Sequence, residues 1–230
     1  MKIFADGADR ETLLRYAKDP LIQGFTTNPT LMRRAGVTDY EAFARAILGD
    51  VTGKPISFEV FADEEAAMER QARKIASWGP NVYVKIPVTN TRCESTAGLV
   101  RRLSQEGVQL NITAVLTLDQ VRTVANSLDG GAACCVSVFA GRIADTGLDP
   151  LPIMRAALEV LAPNPKAELI WASPREVLNV FQADQIGCHI ITATVDILAR
   201  LPLAGKDLGE YSLETVRMFH HDAAASGFTL

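Results

Sequence analysis

The chain has 230 residues, of which 48% are hydrophobic and 22% are charged, and its formal net charge at pH 7 is −4. These values are typical of one compact globular body and argue against a protein that grips nucleic acid through a basic face. Charged residues interrupt every apolar segment, which predicts a cytoplasmic protein with no membrane contact.

Eight short segments have the composition of β-strands, and each is followed by a segment with helical spacing. The strand-like segments are 2–6, 24–28, 56–60, 82–88, 108–115, 134–140, 168–173 and 189–194. Among the helical segments, Thr117 and Gln120 form a predicted capping box, and Gly107 marks the end of the helix that starts near Ser95. The stretch from Asp207 to Ala225 is predicted to be a long C-terminal helix.

Eight alternations of strand and helix predict an α/β protein with a parallel sheet, and the number eight suggests closure into a (β/α)8 TIM barrel. We predict one barrel domain over residues 1–230, with 207–230 as a C-terminal helical extension. An open doubly wound sheet is an alternative, although no GxGxxG turn follows the first strand. An antiparallel sheet with a solvated face would explain the side-chain alternation but not the helices.

Cysteine and histidine usage predicts neither disulfides nor a metal site. The cysteines lack CxxC spacing and are interpreted as reduced core residues; they are Cys93, Cys134, Cys135 and Cys188. The histidines do not easily build a metal centre; they are His189, His220 and His221. The sequence therefore predicts no metal and no cofactor.

Polar side chains share one parity along several predicted strands, so they face the same side of the sheet. In a barrel this parity points inward, where a dry apolar core is the norm, and polar groups there need a reason. Most of them lie toward the C-terminal strand ends, where barrel enzymes have their active sites. The polar residues are Asp6, Thr26, Asn28, Glu59, Lys85, Asn111, Thr113 and Ser137, and Phe139 shares the face of Ser137.

Lys85 stands in the middle of an apolar, β-branched segment. In the simpler interpretation it lies on an edge or surface strand and points into water. In the other, it is held in a dry pocket, because burial disfavours the charged form of an amine and the neutral amine attacks ketones. The resulting iminium accepts electrons, so an adjacent carbon–carbon bond can break without a metal. Asp6 and Glu59 are available as acid/base groups, and the amides and hydroxyls suit sugar hydroxyls.

Two segments near the last strands suit an anion. In GRIAD, Arg142 follows the sixth strand. In SPRE, Ser173 is predicted to cap a helix with Pro174 at its first position and Glu176 completing the capping box. Capping alone is one interpretation. The other is a phosphate clamp of Arg142 and Arg175, because a helix N-terminus attracts phosphate and a cation in its first turn is otherwise unfavourable.

Taken together, several motifs over nearly the whole chain resemble the transaldolase family, in particular its small transaldolase and fructose-6-phosphate aldolase-like subfamily. They are Asp6, TTNPT at 26–30, EV at 59–60, VKIPVT at 84–89, NIT at 111–113 and VFAGRI at 138–143. The resemblance implies a barrel whose Schiff-base lysine is Lys85. It implies that Asp6 is the acid/base on the C4 hydroxyl of the donor, and that Glu59 works through a water during imine formation.

For the remaining site residues, the resemblance implies sugar and phosphate binding. Asn28 and Asn111 match positions that bind donor hydroxyls, and Thr26, Thr113, Ser137 and Phe139 line the pocket. Arg142, Ser173 and Arg175 match the phosphate-binding end. The partners are therefore expected to be sugar phosphates. The family also implies a homo-oligomer, a ring-type pentamer or decamer in which the C-terminal helix packs on a neighbouring subunit; the alternative is that the helix packs on its own barrel.

Two positions bear on the reaction type. Transaldolases typically have glutamate and phenylalanine where aldolases of this group have glutamine and tyrosine, and this chain has Glu59 and Phe139. The resemblance thus favours transfer of a dihydroxyacetone unit between sugar phosphates over simple aldol cleavage, which stays the alternative. A non-catalytic sugar-phosphate-binding protein is an alternative of another class. Three residues differ from those usual in the family: Gly7 follows Asp6 where threonine or serine is usual, Leu116 stands where an aromatic residue is common, and Pro174 lies inside the phosphate motif. The resemblance therefore does not identify the acceptor.

Overall fold

Eight parallel strands close into a ring in the computed structural model, which describes residues 1–128 and 130–229. The strands follow one another around the ring in chain order, and the first pairs with the last. They are β1 (Lys2–Asp6), β2 (Ile22–Thr26), β3 (Ile56–Glu59), β4 (Val82–Pro87), β5 (Leu110–Val115), β6 (Cys134–Val138), β7 (Ala167–Trp171) and β8 (Ile190–Thr194). The predicted (β/α)8 barrel is confirmed, and the open-sheet and antiparallel alternatives are wrong.

Helices connect consecutive strands, and two of them occur in each of the connections after β2 and after β6. Within the described residues they are α1 (Arg10–Ala17), α2 (Pro29–Arg34), α3 (Tyr40–Asp50), α4 (Glu65–Ala76), α5 (Ala97–Gln105), α6 (Leu118–Ser127), α7 (Ala140–Asp145), α8 (Leu151–Leu161), α9 (Leu178–Gln185), α10 (Val195–Leu198) and α11 (Leu208–Ser226). A short 3-10 helix covers Leu201–Leu203. The Thr117–Gln120 capping box is present at the start of α6.

Side chains alternate along β3 between two surroundings, the layer of helices outside and the interior of the barrel. Phe58 is fully buried and packs edge-on against Trp78, beyond the end of α4, so it faces the helical layer. Its neighbour Ser57 points the other way and accepts a hydrogen bond from Asn111 of β5 inside the barrel, at 2.9 Å. Burial of a side chain such as Phe58 stabilises the fold by roughly 1.5–3 kcal/mol. In β3 the apolar parity thus packs against the helices, while the polar parity faces the barrel interior.

The predicted helix at Ser173 is wrong. Ser173 has the left-handed backbone conformation, with φ 61°, and α9 begins only at Leu178. The intervening loop is organised by Asn179, whose Oδ1 accepts hydrogen bonds from the backbone N–H groups of Arg175 and Glu176. A side chain from within α9 therefore satisfies the loop donors that the predicted capping box assigned to Ser173.

The cysteine prediction holds for three of the four residues. All four thiols are free, and Cys134, Cys135 and Cys188 are buried. Cys93 is exposed and has φ 63°. It lies in the loop after β4, which is closed by an antiparallel bridge between Thr89 and Ser95, so its prediction as a core residue is wrong.

The chain divides into two compact units, Met1–Leu198 and Ala199–Leu230. The first contains the barrel. Within the described part of the second, α11 begins at the N-cap Asp207, which accepts from the backbone N–H of Glu210, and ends at Gly227 with φ 65°. No residue of α11 is buried. Among the helices of the described residues, none has the length and apolar character needed to cross a membrane.

Candidate active site

A cavity of about 630 Å³ opens at the C-terminal ends of the strands. Asp6, Glu59 and Thr194 are the last residues of β1, β3 and β8, and all three line it. Its charged lining residues are Asp6, Arg34, Glu59, Lys85, Arg142 and Arg175. The excess of cations over carboxylates favours an anionic ligand, and the volume lies within the range of small-molecule sites.

Lys85 lies at the inner wall of this cavity with only 6% of its surface exposed. Its neighbours along β4, Val84 and Ile86, are fully buried. The Nζ atom donates to the Thr27 carbonyl oxygen at 3.1 Å and lies 3.2 Å from Glu59 Oε2. Glu59 and Lys85 are directly paired across β3 and β4. The interpretation of Lys85 as a surface residue pointing into water is therefore wrong.

Asp6 faces the same cavity from β1. Its Oδ1 accepts a hydrogen bond from Thr26 Oγ1 at 2.7 Å, and the Thr26 hydroxyl in turn lies 2.6 Å from the hydroxyl of Thr192 on β8. Burial raises the pKa of Asp6, although the nearby charge of Lys85 and the hydrogen bond from Thr26 act in the opposite direction. Desolvation is therefore the dominant effect on this carboxyl group.

Asn111 is fully buried and is held by two hydroxyls. Its Nδ2 donates to Ser57 Oγ at 2.9 Å, and its Oδ1 accepts from Ser137 Oγ at 2.7 Å. Ser137 lines the cavity directly, whereas Asn111 is not among the cavity-lining residues of the described chain. In this structure the predicted hydroxyl-binding amide thus supports the cavity wall.

Thr113 presents a buried hydroxyl without a hydrogen-bond partner in the described structure. The residue lies at an irregularity of the β5 ladder between Ile112 and Val115, and the next residue, Ala114, has φ 59°. Bulges of this kind redirect side chains near active sites. Because Thr113 lines the cavity and an unpaired buried hydroxyl is unfavourable, its Oγ1 is suited to bind substrate or a water.

Asn28 and Phe139 border the cavity at opposite sides of the ring. Asn28 caps α2, since its Oδ1 accepts from the backbone N–H of Leu31 at 3.0 Å; the side-chain amide N–H groups are left for a ligand. Phe139 follows β6, and the guanidinium carbon of Arg142 lies 5.6 Å from the centre of its ring. This stacking directs Arg142 across the aromatic side chain.

The β7–α9 loop brings Ser173 and Arg175 to the cavity beside Arg142. Gly141 permits this close approach, because a Cβ atom there would lie only 1.6 Å from the Ser173 carbonyl oxygen. Arg175 makes two hydrogen bonds with Asp145 of α7, one of them from Nε at 2.8 Å. These bonds lower the pKa of Asp145. They also use only part of the guanidinium, which has five N–H donors.

Sequence reasoning missed five residues of the site or its support: Arg34, Tyr40, Ser57, Thr192 and Thr194. Strand parity contains the signal for Ser57, Thr192 and Thr194, since each shares the inward parity of a polar neighbour. Arg34 and Tyr40 belong to helices, and only the folded chain brings them to the strand ends.

A smaller side pocket of about 330 Å³ adjoins the main cavity. The two share Asp6, Leu31, Arg34 and Thr194. Gly7 lines the side pocket, and a Cβ atom at this position would meet nothing within 4 Å. The departure at Gly7 thus leaves open space beside the Asp6 carboxylate. As for metals, no group of three or more His, Cys, Asp or Glu side chains in 1–128 and 130–229 is arranged to hold an ion.

Comparison with solved structures shows the barrel fold alone. A dihydrodipicolinate synthase from Rhodopseudomonas palustris matches with a TM-score of 0.60 at 14% identity, over 84% of this chain and 69% of that one. A mutant mandelate oxidase matches with a TM-score of 0.58 at 14% identity, over 89% of this chain and 67% of the other.

Comparison of sequences is more specific. A protein of Dehalococcoides mccartyi named probable transaldolase is 34% identical over 87% of this chain and 90% of its own length. Probable transaldolase 2 of Listeria monocytogenes is 34% identical over 90% of this chain and 93% of its length. The model of the family described as Transaldolase/Fructose-6-phosphate aldolase matches residues 3–230. The chain therefore belongs to the transaldolase/fructose-6-phosphate aldolase family.

Proposed function

We propose that this protein is a Schiff-base transaldolase, which transfers a dihydroxyacetone unit from a ketose phosphate to an aldose phosphate in cytoplasmic carbohydrate metabolism of the pentose phosphate type. The observation that carries the proposal is the position of Lys85. Its amine is buried in the cavity wall, lies 3.2 Å from Glu59 and shares the cavity with Asp6. A nucleophile, an adjacent base and a second carboxyl group are the parts that this chemistry requires.

In the proposed reaction, the Lys85 amine attacks the C2 carbonyl of the ketose phosphate, and the resulting carbinolamine loses its hydroxyl group as water to form an imine. Glu59 is the carboxylate next to Nζ, so it accepts the amine proton and moves protons to and from the departing water. The Thr113 hydroxyl, which is buried without a partner in the described structure, is suited to hold that water.

Asp6 then removes the proton from the C4 hydroxyl. The C3–C4 bond breaks, its electrons pass into an enamine on Lys85, and an aldose phosphate leaves. Addition of the enamine to the aldehyde carbon of a second aldose phosphate reverses these steps, with Asp6 returning its proton to the new hydroxyl. The raised pKa of Asp6 suits both directions, because a carboxyl group closer to neutral pH exchanges protons more readily.

The phosphate of each substrate is proposed to bind at Arg142, Ser173 and Arg175. Arg142 is exposed to the cavity, and Arg175 retains N–H donors beyond those used by Asp145. Asp145 holds the guanidinium plane in a fixed orientation, which favours a directed interaction with phosphate oxygens. This end of the cavity is formed by residues after β6 and β7, and the second of these loops is one of the two, after the seventh and eighth strands, at which barrels often bind phosphate.

Phe139 is proposed to favour transfer over release of the dihydroxyacetone unit. The ring lines the cavity and has no hydroxyl to help a water protonate the enamine carbon, the step that commits the dihydroxyacetone unit to release instead of addition to an acceptor. Phe139→Tyr is expected to raise cleavage in the absence of an acceptor relative to transfer by roughly a hundredfold, the lower end of general acid–base effects. The two activities are measured on the same preparation, and an unchanged ratio would count against this role.

The experiment that tests the proposed function compares product formation with and without an acceptor. Fructose 6-phosphate is supplied alone or with erythrose 4-phosphate, and glyceraldehyde 3-phosphate is measured. A transaldolase releases it rapidly only when the acceptor is present. Equal rates under both conditions would instead support aldol cleavage, and a screen of aldose phosphates of three to six carbons identifies the preferred acceptor by product mass.

A further inference from the structure

Strand β3 continues beyond the point at which its neighbour β2 ends. Their last paired residues are Thr26 and Ser57, and the backbone N–H of Thr27 still donates to the Ser57 carbonyl. The chain then turns at Asn28 into α2, whereas β3 continues to Glu59. Backbone groups alternate sides along a strand, so the N–H and C=O of Glu59 point toward β2, which has already left the sheet.

Tyr40 supplies the missing partner. The backbone N–H of Glu59 donates to Tyr40 Oη at 2.8 Å, and Oη donates to the Glu59 carbonyl oxygen at 2.9 Å. One hydroxyl therefore satisfies both backbone groups that the end of β2 leaves unpaired. Burial raises the pKa of Tyr40, so the hydroxyl stays protonated and able to donate at neutral pH.

The ring of Tyr40 is itself fixed. Tyr40 is the first residue of α3, and the preceding residue, Asp39, caps that helix by accepting from the backbone N–H of Ala42. The ring packs against three aromatic side chains, with centroid distances of 6.3 Å to Phe58, 5.7 Å to Phe61 and 6.0 Å to Trp78. This packing does not depend on the hydroxyl.

We propose that Tyr40 is a positioning residue for Glu59. By clamping both backbone groups of Glu59, its hydroxyl holds the carboxylate beside the Lys85 amine, where the other side of the strand is already fixed by the hydrogen bond from Val60 N–H to the Lys85 carbonyl. The inference rests on the proposed function, because it concerns the rate at which Lys85 forms an imine. It adds a residue outside the cavity that acts on the reaction through Glu59.

The test is a double-mutant cycle on imine formation, which isolates coupling between two residues. The rate at which borohydride-trapped adduct appears on Lys85 with fructose 6-phosphate is measured for the wild type, Tyr40→Phe, Glu59→Ala and the double variant. Tyr40→Phe is expected to slow adduct formation roughly tenfold in the wild-type background, since small displacements of a catalytic group have large effects. In the Glu59→Ala background, the same change is expected to have less than about a twofold effect. Tyr211→Phe, on α11, is the matched control and should leave the rate unchanged.

Equal slowing in both backgrounds would overturn the inference, because it would show that the hydroxyl supports the barrel rather than Glu59. A folded Tyr40→Phe variant with the wild-type rate would overturn it as well. If the wild type forms no adduct at all, both the proposed function and the inference fail. If the adduct forms but Tyr40 and Glu59 show no coupling, only the inference fails.

A measurement on the unmodified protein applies even if Tyr40→Phe does not fold. The backbone amide of Glu59 is expected to exchange with solvent deuterium as slowly as that of Phe58 in the same strand, because both are hydrogen-bonded. Exchange of the Glu59 amide at the rate of an exposed loop would show that the clamp is absent in solution and would overturn the inference.

Discussion

Lys85, Glu59 and Asp6 place three ionisable groups in the wall of the barrel, among apolar, hydroxyl and amide side chains that face the same interior. These residues were predictable from the sequence because a charged residue at an inward-facing strand position is rare. The residues that contact these three side chains were harder to predict from the sequence. Strand parity identifies Ser57 and Thr192 as inward-facing, but nothing local indicates that the hydroxyl of Tyr40, a helical residue, reaches the backbone of Glu59.

Asp6 is expected to reduce the stability of the fold at neutral pH while serving catalysis. Burial raises its pKa in the folded state, so the folded protein loses stability as the pH rises above the unfolded value, about 3.9, toward the folded value. Asp6→Asn removes this ionisation and still accepts the hydrogen bond from Thr26. The variant should therefore be more stable than the wild type at pH 8, by a margin that shrinks at pH 5, and at least about a hundredfold less active.

Urea unfolding of both proteins at the two pH values measures this effect. Asp6→Ser, which also lacks the charge, serves as the control for loss of the Thr26 contact. A wild type that is more stable than Asp6→Asn at pH 8 would mean that the Lys85–Asp6 attraction exceeds the burial effect.

At the scale of elements, the strands were predicted closely and the loops were not. The predicted segment 2–6 coincides with β1, and 82–88 extends one residue beyond β4, because alternation and β-branching are local signals. The SPRE segment matches a capping box in sequence, yet the chain there is a loop. Its conformation depends on the hydrogen bonds to Asn179 and on the close approach to Gly141. Both residues lie outside the SPRE segment, so the local sequence does not reveal these contacts.

The approach at Gly141 gives a prediction for the β7–α9 loop. Gly141→Ala would place a Cβ atom against the Ser173 carbonyl oxygen, so the loop must shift and carry Ser173 and Arg175 with it. We expect a loss of stability of about 1–3 kcal/mol. We also expect the KM for fructose 6-phosphate to rise at least about tenfold, while adduct formation on Lys85 with unphosphorylated dihydroxyacetone changes little.

Gly98→Ala in α5 is the matched control. Its added Cβ would make only an ordinary contact of 3.7 Å with Arg102, so it should be neutral or stabilise by up to about 1 kcal/mol. A Gly141→Ala variant that binds phosphorylated and unphosphorylated substrates as the wild type does would contradict the placement of the phosphate site.

At the scale of the whole molecule, the barrel was predictable because each strand–helix unit follows the same rule, and eight such units leave few alternatives. The assembly state is less predictable, because the alternation of strands and helices within one chain does not indicate which surfaces pack against another subunit. The exposed apolar side chains of α11 are Leu208, Tyr211, Leu213, Val216, Met218 and Phe219.

These side chains, together with the family resemblance, support the proposal that the protein is a homo-oligomer in which α11 packs on a neighbouring subunit. The wild type is then expected to sediment as an oligomer at concentrations of about 10 μM, and Val216→Asp combined with Phe219→Asp should lower the measured mass. Arg217→Asp, at an exposed polar position of the same helix, should not. A wild-type protein that sediments as a monomer would contradict the proposal.

The role of Lys85 as the nucleophile can be tested by borohydride reduction in the presence of fructose 6-phosphate. We expect a stable three-carbon or six-carbon sugar adduct, located by peptide mass analysis at Lys85. The adduct should be absent in Lys85→Met and retained in Lys18→Met, which changes an exposed lysine. Absence of any adduct in the wild type, or its attachment to another lysine, would show that Lys85 is not the nucleophile and leave a barrel that binds sugar phosphates without this chemistry.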